Sequence, residues 1–206
     1  MKFFNLILLL TLFFAACKPD KNSDENKDGL VSIEEASENA KIKGDFPPIP
    51  DPCKLISEQW LRSNLNIDAD LELTIRDGST DKVGYAESCF FKWPEKGNLN
   101  GGIMLQILVN PVPSEVDNWP ELFINSKLEN GEMISNNDTA AKFVRLEDLG
   151  DDGCYNEDLG FYYWRVKNDY VFWLAFNLLV DKKTQKEYAI KIGQEVLRNF
   201  NPPAKK

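Results

Sequence analysis

A chain of 206 residues is long enough for one ordinary domain with accessory segments and too short for two full enzyme domains. Its 24 Lys and Arg against 33 Asp and Glu leave a formal charge of −9, so no broad basic field exists to hold a nucleic acid. Histidine is absent, which removes Ser/His/Asp and Cys/His catalysis and histidine-ligated zinc, while 43% apolar and 12% aromatic residues suit a chain that buries a core.

Met1 and Lys2 precede an apolar stretch from Phe3 to Ala16, broken only by Asn5 and Thr11, that ends in Ala15, Ala16 and Cys17. As a helix this stretch would rise about 21 Å, short of the roughly 30 Å hydrocarbon core, so residues 1–16 read as a signal peptide rather than a membrane span. Small residues before a cysteine resemble the bacterial lipobox, although Phe14 stands where that box usually carries Leu. The resemblance implies that Cys17 is acylated, palmitate among its chains, and ties the protein to a lipid bilayer of the bacterial cell envelope. The outer membrane is the expected address, with the domain on its periplasmic or surface face. An ordinary secreted protein and an uncleaved anchor are the alternatives.

Residues 17–50 differ in composition. From Lys18 to Pro50 there are eight acids and five lysines, no aromatic residue before Phe46, and a closing run FPPIPDP that extends to Pro52. Such a segment buries too little apolar surface to fold alone, and its prolines favour an extended spacer. Within it, Asp24 to Glu35 reads DENKDGLVSIEE and resembles the calcium loop of the EF-hand family. On that resemblance Asp24, Asn26 and Asp28 supply side-chain oxygens, Leu30 its carbonyl and Glu35 two oxygens, with Gly29 at the sharp turn and Ser32 acting through water. The cofactor implied is Ca²⁺, at the weak affinity of about 10⁻⁴ to 10⁻³ M expected of an extracellular module. No entering helix fits between Cys17 and Asp24, and no second loop is present to pair with. Two other readings stay open: Ser32 and Glu35 as a capping box for a short helix, and the acids as an export signal of the kind found in some Bacteroidetes lipoproteins.

Residues 51–201 are expected to form one α+β domain, an antiparallel sheet flanked by helices, with 202–206 as a tail. Leu55, Ile56, Trp60 and Leu61 recur at helical spacing after Lys54, with Ser57 as the start. Strand-like runs follow at Leu71–Ile75, Gly84–Trp93 and Ile103–Val109, separated by DGSTD and EKGNLNGG. Val116, Trp119, Leu122, Phe123 and Leu128 make a second helical stripe, with Pro120 near its first turn. Residues 142–146, 159–166 and 170–179 read as strands, and Lys182 to Phe200 as a closing helix. The predicted order is α-βββ-α-βββ-α, which suggests a duplicated three-strand-plus-helix unit without any residue-level repeat.

The last predicted hairpin has no polar face. A two-residue turn at Asn168 and Asp169 sets Trp164 opposite Trp173 and Arg165 opposite Phe172. Tyr162, Trp164, Val166, Val171 and Trp173 then share one face, and Phe161, Tyr163, Phe172, Leu174 and Phe176 the other. A sheet apolar on both sides must be covered on both sides, by helices or by a partner or ligand. Trp164, Trp173 and Tyr163 are accordingly the candidate ligand-binding residues, with ordinary core as the plainer reading.

Setting Cys17 aside, three cysteines remain, Cys53, Cys89 and Cys154, so an oxidising compartment leaves one pair and one spare thiol. DPC at 51–53 followed by KLIS, SCFFKW at 88–93 and LGDDGCY at 149–155 resemble a family of bacterial lipoproteins of unknown function best known in actinobacteria, with its DPC, CxW and GLGDxA motifs. The resemblance spans about 150 residues. It implies a PsbP-like sheet flanked by helices and a bridge between Cys53 and Cys89, and brings no activity. Here CFFKW replaces a tight CxW, and Cys154 occupies a position where a small residue is usual. Cys154 reads as a buried apolar residue rather than a nucleophile, with no histidine to serve as its base.

Asp148, Asp151 and Asp152 crowd three carboxylates into a short run, which reads as an Asx-rich turn entering a strand, or as a cation site or a place where neighbouring carboxylates shift a pKa. GxSxG, phosphate-loop, GxGxxG and CxxC patterns are absent. The expected function is therefore a non-enzymatic envelope lipoprotein that binds a small ligand or another envelope protein. A carboxylate-dependent envelope enzyme using Asp151 and Asp152 is one alternative, and a calcium-responsive structural or assembly protein another. The anchor predicts palmitate labelling and partition into detergent, both lost in Cys17→Ala, and a soluble unlabelled product would refute it. Titration of the same protein with calcium to about 10 mM should give heat or amide shifts if the loop is a site.

Overall fold

The computed structural model describes residues 46–68, 72–77, 85–94, 100–134 and 140–201. Cys17, the calcium-loop residues Asp24, Asn26, Asp28, Leu30 and Glu35, and the tail lie outside the described residues.

Asp51 opens the domain by accepting the Cys53 N–H on its carboxylate (2.9 Å), which starts a single 3₁₀ turn over Pro52–Lys54. Ser57 then caps helix α1 (Glu58–Leu65) through the Trp60 N–H, as its spacing predicts, and Asn66 ends the helix in the left-handed region that asparagine tolerates. Strands β1 (Thr74–Asp77), β2 (Ala86–Pro94) and β3 (Asn100–Val109) form an antiparallel meander. Helix α2 (Trp119–Asn130) carries Pro120 in its first turn, where a missing N–H costs nothing. Strands β4 (Val144–Arg145), β5 (Asp152–Asn156), β6 (Phe161–Val166) and β7 (Tyr170–Asn177) make a second meander. Helix α3 (Lys182–Asn199) closes the chain, capped by Asp181 on the Thr184 N–H and hydroxyl.

The sheet is α+β in class and antiparallel throughout, in the order β1-β2-β3-β7-β6-β5-β4. It carries one strand more than the predicted order. β5 occupies a segment that reads as a turn because its acids and glycines have low strand propensity. The reason it pairs is tertiary. Asp152 forms an ion pair with Arg145 on β4, and Gly153 lies where a Cβ would come within 2.6 Å of the Tyr163 carbonyl on β6. Gly150 precedes it at φ +64°, with the Arg165 carbonyl only 2.3 Å from where a Cβ would stand. The two meanders are thus of three and four strands rather than equal repeats.

The β6–β7 turn also differs. Val166 pairs with Tyr170 across three loop residues, with Lys167 at φ +56° and its N–H held by the Asp151 carboxylate. Trp164 consequently faces Phe172, and Trp173 faces Tyr163. One residue of slip moves a whole strand's side chains across the sheet. Val171 and Trp173 join Phe161 and Tyr163, while Phe172, Leu174 and Phe176 join Tyr162 and Trp164.

One sheet face is sealed. Leu61 and Leu65 of α1, and Ala189, Ile192 and Val196 of α3, pack with Phe91, Leu105, Ile107, Trp164 and Phe172 in the main core. Phe46 and Ile49 pack against its margin, and the Tyr170 hydroxyl donates to the Pro48 carbonyl (3.2 Å). The other face carries a smaller core in which Trp119, Phe123 and Ile124 of α2 meet Leu108, Phe143, Cys154, Tyr163 and Val171. None of the described helices is long and apolar enough to cross a membrane.

A disulfide joins Cys53 to Cys89 across 36 positions of sequence, tying the opening turn to β2. Closing a loop of that size stabilises the fold by about 3.8 kcal/mol through loss of unfolded-state entropy. Replacing both cysteines with alanine should lower the free energy of unfolding by about 2–5 kcal/mol in a urea titration, with the transition still cooperative. An unchanged midpoint would show that the bridge constrains nothing.

Candidate functional site

The three aromatic residues proposed for binding separate on the two sides of the sheet. Trp164 is 0% exposed and stacks on Phe172 in the sealed core, with ring centroids 5.2 Å apart and planes at 4°. It lies in the sealed core away from the other two, and the register slip is what moves Trp173 from its face to that of Tyr163. Tyr163 and Trp173 stay together on the opposite face, stacked at 5.6 Å and 24°. Tyr163 is buried at 2% exposure beneath α2, whereas Trp173 is half-buried at the helix's margin.

From Trp173 an aromatic ladder runs in both directions. Towards the helix, Tyr163 meets Phe123 at 5.5 Å and Phe123 meets Trp119 at 5.2 Å. Away from it, Phe161 sits edge-on to Trp173 at 5.2 Å. There the helix no longer covers the sheet, and Phe90, Met104, Phe161, Trp173 and Ala175 line a shallow groove of about 540 Å³, within the range of small-molecule sites. Gly102 leaves one end of its floor bare, since a Cβ there would lie 2.9 Å from the Phe91 carbonyl. Lys92 is the only charged side chain in the lining among the described residues, and its ammonium stands 5.5 Å from the Phe90 ring centroid. Alternation along SCFFKW places Ser88, Phe90 and Lys92 on this face, so the sequence carried the signal. What it lacked was the length of sheet that α2 covers.

The covered half ends in a half-buried polar cluster. Lys127 pairs with Glu132 (2.7 Å) and lies 5.1 to 5.9 Å from the ring centroids of Phe123, Phe143 and Tyr163. Glu132 also accepts the Tyr163 hydroxyl proton at 3.2 Å. Burial and the Glu132 charge push the Tyr163 phenol upward, and burial pushes the neighbouring Cys154 thiol up to about 12. A thiol so raised is protonated near neutral pH and is a poor nucleophile. The cluster fastens the segment after α2 to the sheet, and its groups are already satisfied by one another.

The acidic run is spent structurally. Asp151 accepts the Lys167 N–H and lies 4.0 Å from the Arg165 guanidinium, while Asp152 is bound to Arg145 and to the Gly153 N–H. No group of three or more metal-ligating side chains occurs among the described residues. No family model, curated protein or solved structure matches the chain.

Cys154 and Tyr163 both hold their protons more tightly folded than unfolded. Their contribution to stability is therefore complete below the ordinary cysteine pKa and lost as pH rises through the alkaline range. Two outcomes follow. Iodoacetamide should leave Cys154 unmodified in the native protein at pH 8 and label one thiol after denaturation without reductant. The thermal midpoint should fall above about pH 9, less steeply in Tyr163→Phe. Stoichiometric labelling of the native protein would place the thiol at the surface.

Proposed function

We propose that this protein is an envelope lipoprotein, anchored through acylated Cys17, whose domain is a non-enzymatic binding module that docks its ligand or protein partner in the groove beside α2. The observation that carries this reading is the half-covered sheet face. Phe90, Met104, Phe161 and Trp173 form a contiguous apolar surface that no element of the described domain seals. Apolar lining of this extent on a soluble domain marks a site of interaction more often than chance exposure.

Two further points support it. The Cys53–Cys89 bridge suits an oxidising compartment beyond the cytosol, in keeping with the leader and Cys17. The carboxylates required by a rival enzymatic reading, Asp151 and Asp152, are engaged with arginines and backbone N–H groups. On the same reading, calcium held by Asp24, Asn26, Asp28, Leu30 and Glu35 would order part of the tether, and the lipoprotein family resembled in the DPC and LGDDG motifs is its expected kin.

The test is a photo-reactive residue placed at Met104 in intact cells, with Glu187, exposed on α3, as the control position. An adduct, small molecule or protein by intact mass, should form from 104 and not from 187. Equal capture at both positions, or none at 104, would remove the groove as the docking place.

A further inference from the structure

We infer that the groove takes a single-chain carboxylate amphiphile, a free fatty acid in chemical class, with its tail along Phe90, Met104, Phe161 and Trp173 and its carboxylate at Lys92. This deepens the binding reading above and rests on it. The lining sets the chemistry of the tail, because everything between Phe90 and Ala175 on this face is aromatic, aliphatic or bare glycine backbone apart from Lys92 and Asn177. The mouth sets the chemistry of the head. Lys92 also borders a shallower hollow of about 230 Å³ lined by Thr74, Arg76 and Glu72, so the two depressions meet at its side chain.

The β1–β2 register brings the second cation close. Arg76 pairs with Phe90 and Thr74 with Lys92, which makes Arg76 and Lys92 diagonal neighbours on one face, with backbones roughly 7–8 Å apart. Among the described residues neither belongs to an ion pair, and Glu72 is the one acid in the lining of that hollow. Two cations to one carboxylate make a local positive mouth in a chain whose formal charge is −9.

A lysine left over an exposed phenyl ring gains less from the ring than a charge-assisted hydrogen bond to a carboxylate supplies. An anionic head would therefore draw the ammonium off Phe90. The missing side chain at Gly102, which pairs with Lys92 on one side and Asn177 on the other, leaves the passage from mouth to floor open. A neutral or cationic amphiphile of the same length would fill the floor and leave Lys92 without a counter-charge.

The experiment uses the mature chain from position 17 with Cys17→Ala, so that no acyl group of its own competes, and titrates it calorimetrically with dodecanoate below its micelle concentration. Methyl dodecanoate and dodecyltrimethylammonium serve as neutral and cationic probes. Saturable binding of dodecanoate is expected, with about fivefold weaker binding in Lys92→Gln and in Arg76→Gln and at least as large a preference over both other probes. Both residues are exposed, so the variants should keep the parent's thermal midpoint. Equal affinity for all three probes, or no effect of either variant, would overturn the head-group assignment. No binding of dodecanoate alongside an adduct at Met104 in cells would overturn the fatty acid and leave the docking groove standing. Failure of both would remove the two together.

Discussion

The molecule depends on the seam between β3 and β7. Eight residue pairs, from Gly102 with Asn177 to Val109 with Tyr170, join two meanders that are otherwise far apart in sequence. Each meander alone is a short sheet with two apolar faces and nothing to seal them. Joined, they present Leu105, Ile107, Phe172 and Leu174 in one row to α1 and α3, and the main core forms over that row. Pairing so distant in sequence orders many residues before any contact compensates. The Cys53–Cys89 bridge acts on a different stretch, closing the opening turn onto β2 and lowering the unfolded-state entropy of residues 53–89.

The same seam explains why one face is left incomplete. Two helices lie over one side and one over the other, and α2 with only twelve residues spans about 18 Å. It reaches Leu108, Val171, Tyr163 and Cys154 and stops. Lys127, Glu132 and Tyr163 fix that boundary with an ion pair and a hydrogen bond inside an aromatic surround. Beyond it the aromatic ladder continues without cover through Trp173 and Phe161. The groove is therefore a consequence of helix number and length, while its charge comes from the edge strands.

The groove opens at the sheet end formed by Gly101, Gly102 and Asn177, whereas Phe46 and Pro48 enter at the other, against Tyr85 and Tyr170. Gly102 and Val109, which mark these two ends on β3, lie seven positions apart, roughly 24 Å of strand. The groove proposed as the docking place thus lies toward the sheet end away from Phe46 and Pro48.

Local patterning alone reveals the helix starts at Ser57 and the 182–200 region, most of the strands and the two apolar faces of the last hairpin, because spacing and capping are short-range properties. The α+β class and antiparallel sheet follow from them, and the cysteine partners were legible through the motifs around Cys53 and Cys89. The placement of Trp164, Trp173 and Tyr163 was not. A single residue in the Lys167 turn decides which side of the sheet each strand's aromatics occupy, and that turn takes its shape from Asp151, sixteen positions earlier. β5 likewise reads as a turn until Arg145 and Tyr163 are beside it. What tertiary structure decided was coverage: which apolar residues a helix reaches is a distance across the fold, and no periodicity in one strand records it.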